Sequence, residues 1–367
     1  MALIEKHGHG GDIWTAAESF GGKPDQFLDF SANINPLGPP KALIPLLTEA
    51  LPEITRYPDP VCRRLRQKLG STYSLPEEFF LIGNGAAECI QLAVSALQPK
   101  RVGLLYPCFS EYEAAAKKAG CDIVPFFTCK SDQFLPQTEH LLAFLPQIDF
   151  LFIGHPNNPT GNHLRLEDLR AVAEACREAG VTLGVDEAFL DFLPHGEEES
   201  LLPEIERFPN LILFRSMTKM FAIPGLRLGF VIAHPKLVAR MASLQIPWSV
   251  NHLAQKAGEW LVDEKEFVLA TQSFVQQERE ILIQHLQGIP GLTIFPSRTN
   301  YLLLHTAGCP VEDLQRELAQ QGILIRNCTM YPGLGEGYFR IAVRSRQENE
   351  RMWTALAACS RKKAGSS

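Results

Sequence analysis

The chain has 367 residues, 46% of them apolar and 21% charged, so a large buried core is available and global disorder is excluded. Its 35 Lys and Arg stand against 41 Asp and Glu, and the formal charge of −6 argues against a nucleic-acid binder, which carries a basic excess or stripe. No apolar run reaches the ~18 residues of a membrane span, and the opening MALIEKHGHGGD lacks the apolar centre of a signal peptide, so a cytoplasmic protein is expected.

In chain order, the first 35 or so residues read as irregular, an arm able to cross and pack elsewhere. Arg101–Tyr106, Cys121–Phe127 and Asp149–Gly154 are short apolar runs of strand length. Leu166–Ala179 places Leu166, Leu169, Val172, Ala173 and Cys176 on one helical face, with Gly180 as its stop. Val181–Val185, Leu211–Phe214 and Leu228–Ala233 follow as further strands. Apolar runs separated by helices predict an α/β fold with a mostly parallel sheet covered on both faces. A long helical stretch then spans His252–Gln287. Strands are expected at Leu292–Phe295, Tyr301–His305, Ile323–Arg326 and Tyr338–Val343, with helices at Val311–Gln321 and Gln347–Ala358, a smaller α+β unit. The nine cysteines form no CxxC pair and are expected to be reduced and mostly buried, with no metal site.

Four stretches carry chemistry: GNGAAE at Gly83–Glu88, HPNNPTG at His155–Gly161, VDEAFLDF at Val185–Phe192 and SMTKMFAIPGLRLGF at Ser216–Phe230. Each has a plain reading as a turn, a cap or a surface lysine. Glu88 occupies the third glycine position of a G-x-G-x-x-G pattern, which excludes a dinucleotide fingerprint. Asp186 and the PNNPTG turn both follow strands, however, and ligands of parallel α/β sheets bind at the carboxyl ends of strands. The N–H groups of Gly85, Ala86 and Ala87 at a helix start suit a phosphate, to which Ser216 and Arg227 can add a hydroxyl and a guanidinium. Lys219 lies among Met217, Met220, Phe221 and Ile223, surroundings that favour the neutral amine needed to condense with a carbonyl. Asp186 suits a protonated ring nitrogen, and the set fits pyridoxal 5′-phosphate (PLP).

The spacing of Ser216, Lys219, Arg227 and Gly229 resembles the cofactor-lysine signature of the fold-type-I PLP enzymes, in the class I/II aminotransferase superfamily. The resemblance runs from about residue 9 to 358. It implies a large domain with a seven-stranded, mostly parallel sheet. It also implies a homodimer divided into an arm at 1–35 packing with the small domain, a large PLP domain at 36–250 and a small domain at 251–367. By the same resemblance Asn158 stands beside the ring hydroxyl, Asp186 pairs with the ring nitrogen, Phe109 stacks on the ring, and Tyr57 reaches the phosphate of the partner subunit's cofactor. Arg340 binds the substrate carboxylate.

Two branches compete, histidinol-phosphate aminotransferases and the threonine-phosphate decarboxylases of cobalamin biosynthesis. HGGD (His9–Asp12), FLDFSANINPLG (Phe27–Gly38), QIPWSVN (Gln245–Asn251), ILIRNC (Ile323–Cys328) and FRIAVRS (Phe339–Ser345) resemble the decarboxylases. Phe189 stands where the aminotransferases carry a tyrosine, and Arg344 where they usually carry glycine. The resemblance thus implies decarboxylation of L-threonine O-3-phosphate, with His9 and Arg326 on the substrate phosphate and Asn33 as a further contact. A non-enzymatic regulator of the same fold is a third reading. His7 and His9 also read as a chance metal-binding pair. Arg344 either anchors the loop of Arg340 or pairs with a carboxylate such as Glu348. Trp248 is core or dimer interface, and Glu197–Glu199 is expected to be a solvated loop.

Overall fold

The computed structural model describes residue 4 and residues 9–364; His7 lies outside the described residues. The central sheet has seven strands, here β1 (Phe80–Gly83), β2 (Arg101–Tyr106), β3 (Asp122–Phe127), β4 (Phe150–Gly154), β5 (Thr182–Asp186), β6 (Leu211–Ser216) and β7 (Gly229–Ala233). Their spatial order is β1-β7-β6-β5-β4-β2-β3. All neighbours are parallel except at β7, which runs antiparallel to both β1 and β6. Alternate residues of one strand enter two separate cores. Leu151 and Ile153 of β4 join Leu183 and Val185 on one face, whereas Phe150 and Phe152 join Ile212 and Phe214 on the other. Both faces are therefore covered, as a parallel sheet requires.

A four-stranded antiparallel sheet holds Leu292–Ile294, Tyr301–Thr306, Arg326–Asn327 and Tyr338–Ala342 around a third core that includes Leu302, Leu304, Phe339 and Ile341. The expected strand Ile323–Arg326 is two strands. Ile323–Leu324 pairs in parallel with Leu28–Asp29, and Arg326–Asn327 turns into the antiparallel sheet beside Arg340 and Phe339. Nor are the first 35 residues irregular. Asp12 caps a helix at Ile13–Phe20 by accepting from the Thr15 N–H at 2.9 Å, and Leu28–Asp29 adds its strand. The long helix is likewise interrupted, as His252–Leu261 and Lys265–Gln287 flank a break at 262–264. Strand β1 carries no alternation to announce it, since all four of its residues are buried.

The acidic run at Glu197–Glu199 is solvated as expected at Glu197 and Glu198, whose side chains are 51% and 79% exposed, but it is an ordered turn of helix and not a loop. It forms a short 3-10 helix, Gly196–Glu199. Buried Arg215 explains this. Its Nη1 and Nη2 donate to Glu197 at 2.8 and 2.9 Å, while its Nε donates to buried Glu187 at 2.6 Å. A desolvated guanidinium needs such carboxylates. Glu187 directly follows Asp186, and Arg215 directly precedes Ser216, so this pair ties together the ends of β5 and β6 where the candidate site begins. Glu187→Ala is expected to lower stability by about 3 kcal/mol, since it strands part of a buried charge; equilibrium urea unfolding measures it.

Candidate active site

A cleft of about 700 Å³ opens along the sheet edge where β4, β5 and β6 end. Asp186 ends β5, Ser216 ends β6, and Asn158 lies four residues past β4. The antiparallel direction of β7 brings Arg227, two residues before its start, to the same rim. The cleft is lined by Ala86, Ala87, Phe109, Asn158, Asp186, Ser216, Lys219 and Arg227, and also by His9, Asn33, Arg326 and Arg340. Of the residues singled out from sequence, Gly85 lies directly beneath this lining. Tyr57 lies outside the cleft: its ring is 81% exposed and stacks on Trp248 at 4.7 Å between centroids.

The helix Ala86–Leu97 starts at Gly85, whose φ is +83° and which supplies no side-chain cap. The first N–H groups of this helix thus face the cleft without a side-chain acceptor from their cap. A Cβ at Gly85 would come within 2.5 Å of Arg227 Nη2, so glycine is required both by the backbone angle and by the guanidinium above it. Helix start, Ser216 hydroxyl and Arg227 together form an anion cradle.

Lys219 follows this cradle within the turn Met217–Met220. Desolvation, with Arg340 and then Arg227 nearby, pulls its pKa down to about 8, and Asp29 opposes them weakly. The neutral amine fraction therefore rises about tenfold per pH unit below that value. The rate at which the apoprotein takes up PLP is expected to climb between pH 6.5 and 8 and level off above; stopped-flow absorbance reads it.

Asp186 is 7% exposed, and burial pushes its pKa up. Its Oδ2 accepts from the Tyr112 hydroxyl at 2.7 Å and its Oδ1 from the Ala188 N–H at 3.0 Å. A carboxylate desolvated to this degree is stabilised by a cationic partner, such as a pyridinium. Tyr112 escaped the sequence reading. It sits three residues after Phe109, and the two rings meet edge-on at 5.7 Å; their i,i+3 spacing was the available signal. The residues present therefore fit PLP: a cradle for its phosphate, a buried carboxylate for its nitrogen, an aromatic ring at its side and an amine of lowered pKa.

The remaining basic residues of the cleft come from the arm and the antiparallel sheet. Arg340 is 5% exposed; Nη2 donates to the Ser31 carbonyl at 2.8 Å, Nη1 to Asn158 Oδ1, and its guanidinium lies over the Tyr301 ring at 5.3 Å. Its Nε is buried without a hydrogen-bond partner among the described residues. So is Oδ1 of Asn33. Arg326 is 2% exposed and lies over the Tyr331 ring at 5.6 Å. His9 Nε2 pairs with Glu111 at 2.8 Å at the cleft wall. Of the two roles considered for Arg344 the structure shows the pair with Glu348, Nη2 to Oε1 at 2.7 Å, and its Nη1 donates instead to the Asp29 carbonyl at 3.0 Å. Phe189 lines the cleft with a ring edge-on to Tyr301 at 4.9 Å and brings no hydroxyl.

Fold and site define a PLP-binding α/β enzyme. Residues 25–356 match the class I and II aminotransferase family, and the chain belongs to it; PLP is its cofactor. Within the family, the chain is 42% identical over 359 residues to the threonine-phosphate decarboxylase of Salmonella typhimurium, covering 97% of each chain. It is 32% identical over 356 residues to the adenosylcobalamin biosynthesis bifunctional protein CobDQ of Leptospira interrogans, 95% of this chain and 40% of that longer one. Among solved structures, the histidinol-phosphate aminotransferase of Clostridium acetobutylicum superposes with a TM-score of 0.86 at 29% identity, covering 91% of this chain and 99% of that one.

Proposed function

We propose that the protein decarboxylates L-threonine O-3-phosphate to (R)-1-amino-2-propanol O-2-phosphate, a step of cobalamin biosynthesis. The observation that carries this reading is the separation of cations in one cleft. Arg227 stands against the helix start at Gly85, whereas Arg326 and Arg340 face each other across paired strands of the antiparallel sheet, and both groups, with His9, line the cleft that holds Lys219. A cofactor phosphate occupies the first set, which leaves the second for a substrate bearing two anionic groups. The match to the Salmonella decarboxylase supports the same substrate.

PLP, when bound, supplies a conjugated ring, cationic beside Asp186, that accepts the electron pair left at Cα when CO2 departs. The chain's own residues decide which bond at Cα breaks. Arg340 grips the carboxylate and, with Arg326 and His9 holding the phosphate, fixes its direction relative to Lys219. Phe189 keeps the wall near Asp186 apolar. Lys219, with its pKa near 8, holds a proton that it can hand to Cα once CO2 has left. Carbon and charge balance: the Cα–carboxylate bond breaks, CO2 leaves, and one proton takes its place.

The resemblance to the Clostridium enzyme favours a second reading, transamination of histidinol phosphate. Holoenzyme given threonine phosphate alone separates the two. Release of CO2 without any 2-oxo acid supports the decarboxylase; strict dependence on 2-oxoglutarate with no CO2 rejects it.

The working unit in this reading is a cytoplasmic homodimer. Leu37, Ile44, Leu51, Ile54, Tyr57 and Val61 are exposed along one segment, and Leu244, Ile246 and Trp248 are exposed on another, joined through the Tyr57–Trp248 stack. Monomeric proteins rarely leave so much apolar surface open, and a second copy covering it would bring Tyr57 to the neighbouring cofactor. Buried thiols at Cys62, Cys89, Cys108 and Cys176 suit a reducing compartment. Residues 1–35 serve as an arm of the small domain, 36–250 as the cofactor domain and 251–367 as the small domain; the pairing of Leu28–Asp29 with Ile323–Leu324 supports the placement of the arm.

A further inference from the structure

One buried residue of the cleft wall touches both halves of the candidate substrate site. Ser31 is 2% exposed. Its hydroxyl accepts from the Gly11 N–H at 2.8 Å and donates to Asp29 Oδ1 at 2.6 Å. Its own N–H donates to the same Asp29 oxygen at 2.7 Å. Its carbonyl receives Arg340 Nη2 at 2.8 Å, and the carbonyl of Asp29 receives Arg344 Nη1 at 3.0 Å. The side chain of Ser31 thus faces the arm that carries His9, and its backbone faces the guanidinium assigned to the carboxylate.

We propose that Ser31 is a positioning residue whose hydroxyl holds the phosphate side of the substrate site, separately from the backbone carbonyl that meets Arg340 on the carboxylate side. The inference rests on the substrate reading given above. The arm comes so close that a Cβ at Gly10 would collide with the Ser31 carbonyl oxygen, and Gly11 adopts a φ of +90° to present its N–H to the hydroxyl. His9 itself makes a partly exposed pair with Glu111 and a ring contact with Phe109 at 6.0 Å between centroids, and the helix Ile13–Phe20 is anchored by Ala16, which joins Ile4, Ala319 and Leu324 in a small apolar cluster. So small a cluster leaves local hydrogen bonds a share in placing the arm. The Ser31 hydroxyl is therefore one of the tethers of His9 in the position where it meets an anion. Asp29, fixed between Ser31 and Arg344, holds the hydroxyl in its accepting orientation.

A merely structural serine and one that positions the phosphate side differ in which ligand they affect. Two probes each carry half of the substrate. O-Phosphoethanolamine has the amine and phosphate without the carboxylate; L-threonine has the amine and carboxylate without the phosphate. Each is titrated into the PLP-loaded enzyme through the absorbance of the bound cofactor, which needs no turnover. Ser31→Ala removes the Gly11 acceptor and leaves the carbonyl to Arg340. Its dissociation constant for O-phosphoethanolamine is expected to rise about 5–10-fold, with less than about a twofold change for L-threonine. Hydrogen exchange at residues 11–20 is expected to quicken in the same variant. Ser31→Cys, closer in size and a weaker hydrogen-bonding partner, is expected to shift both readouts in the same direction by less, and it stands in if the alanine variant does not fold. Equal losses for the two probes, or unchanged binding of O-phosphoethanolamine, overturn the proposal. Failure of the wild-type enzyme to release CO2 from threonine phosphate would reject the functional reading and leave the probe comparison intact.

Discussion

Lys219→Ala is expected to lower kcat on threonine phosphate by about 10³-fold or more, and to abolish the visible absorbance of covalently held PLP. The magnitude follows from two tasks meeting in one atom. In the proposed reading the amine holds the cofactor, and the same nitrogen returns a proton to Cα. Its surroundings set both. Burial and the charges of Arg340 and Arg227 lower its pKa to about 8, so that at neutral pH an appreciable fraction is neutral. Alanine leaves the phosphate cradle of Ser216, Arg227 and the helix start intact, so the variant should still bind PLP reversibly. Dialysis should strip it readily, whereas the wild type should retain it. Undiminished absorbance in the variant would show that another amine captures the cofactor.

Arg326→Ala carries the second large effect. Removing one partner of a buried, charge-assisted contact costs roughly 2–5 kcal/mol, so kcat/KM for threonine phosphate should fall by about 30–5,000-fold. Binding of L-threonine should change by less than about threefold, because Arg340 is untouched. Arg326 lies over the Tyr331 ring and borders Arg340 across paired strands, which makes it part of a rigid wall. Lysine in its place should recover little, since an ammonium lacks the planar fork. Comparable losses on phosphorylated and unphosphorylated ligands would remove Arg326 from the phosphate subsite.

How much of this was legible before the structure differs between elements for physical reasons. The parallel strands could be read because each is a short apolar run closed by a turn or helix, and the run length barely depends on distant contacts. Strand β1 and the arm could not. β1 owes its place to pairing with β7 far along the chain, Phe80 with Ile232 and Gly83 with Gly229, and the Leu28–Asp29 strand pairs only with Ile323–Leu324. Arg326 and Ile323 seemed one strand because nothing local marks where a chain leaves one sheet for another. In the site, residues within tight motifs were legible: Ser216 and Lys219 lie three residues apart with Arg227 eight further on, and Asp186 ends its strand. Tyr112, Glu111, Asp29 and Ser31 were not. Their roles come from contacts made across the fold, as when the Tyr112 hydroxyl reaches Asp186, and no spacing in the chain announces such a contact. The order of the acidic run was hidden in the same way. Glu197 is a half-exposed charge, and only the fold places the buried guanidinium of Arg215 beside it.

The charge of the whole chain concealed the ligand in the same way. A net −6 coexists with Arg227, Arg326, Arg340 and Arg344 lining one cleft. Ligand sign is set by these local groups at a few ångströms, because more distant exposed charges are screened within about 10 Å.

The most direct measurement follows the carboxyl carbon. L-Threonine O-3-phosphate labelled at that carbon is incubated with the PLP-loaded enzyme in the absence of any 2-oxo acid. The account predicts one labelled CO2 for each (R)-1-amino-2-propanol O-2-phosphate formed, with the amino nitrogen retained in the product. Label remaining in an acid while nitrogen leaves for the cofactor would contradict it.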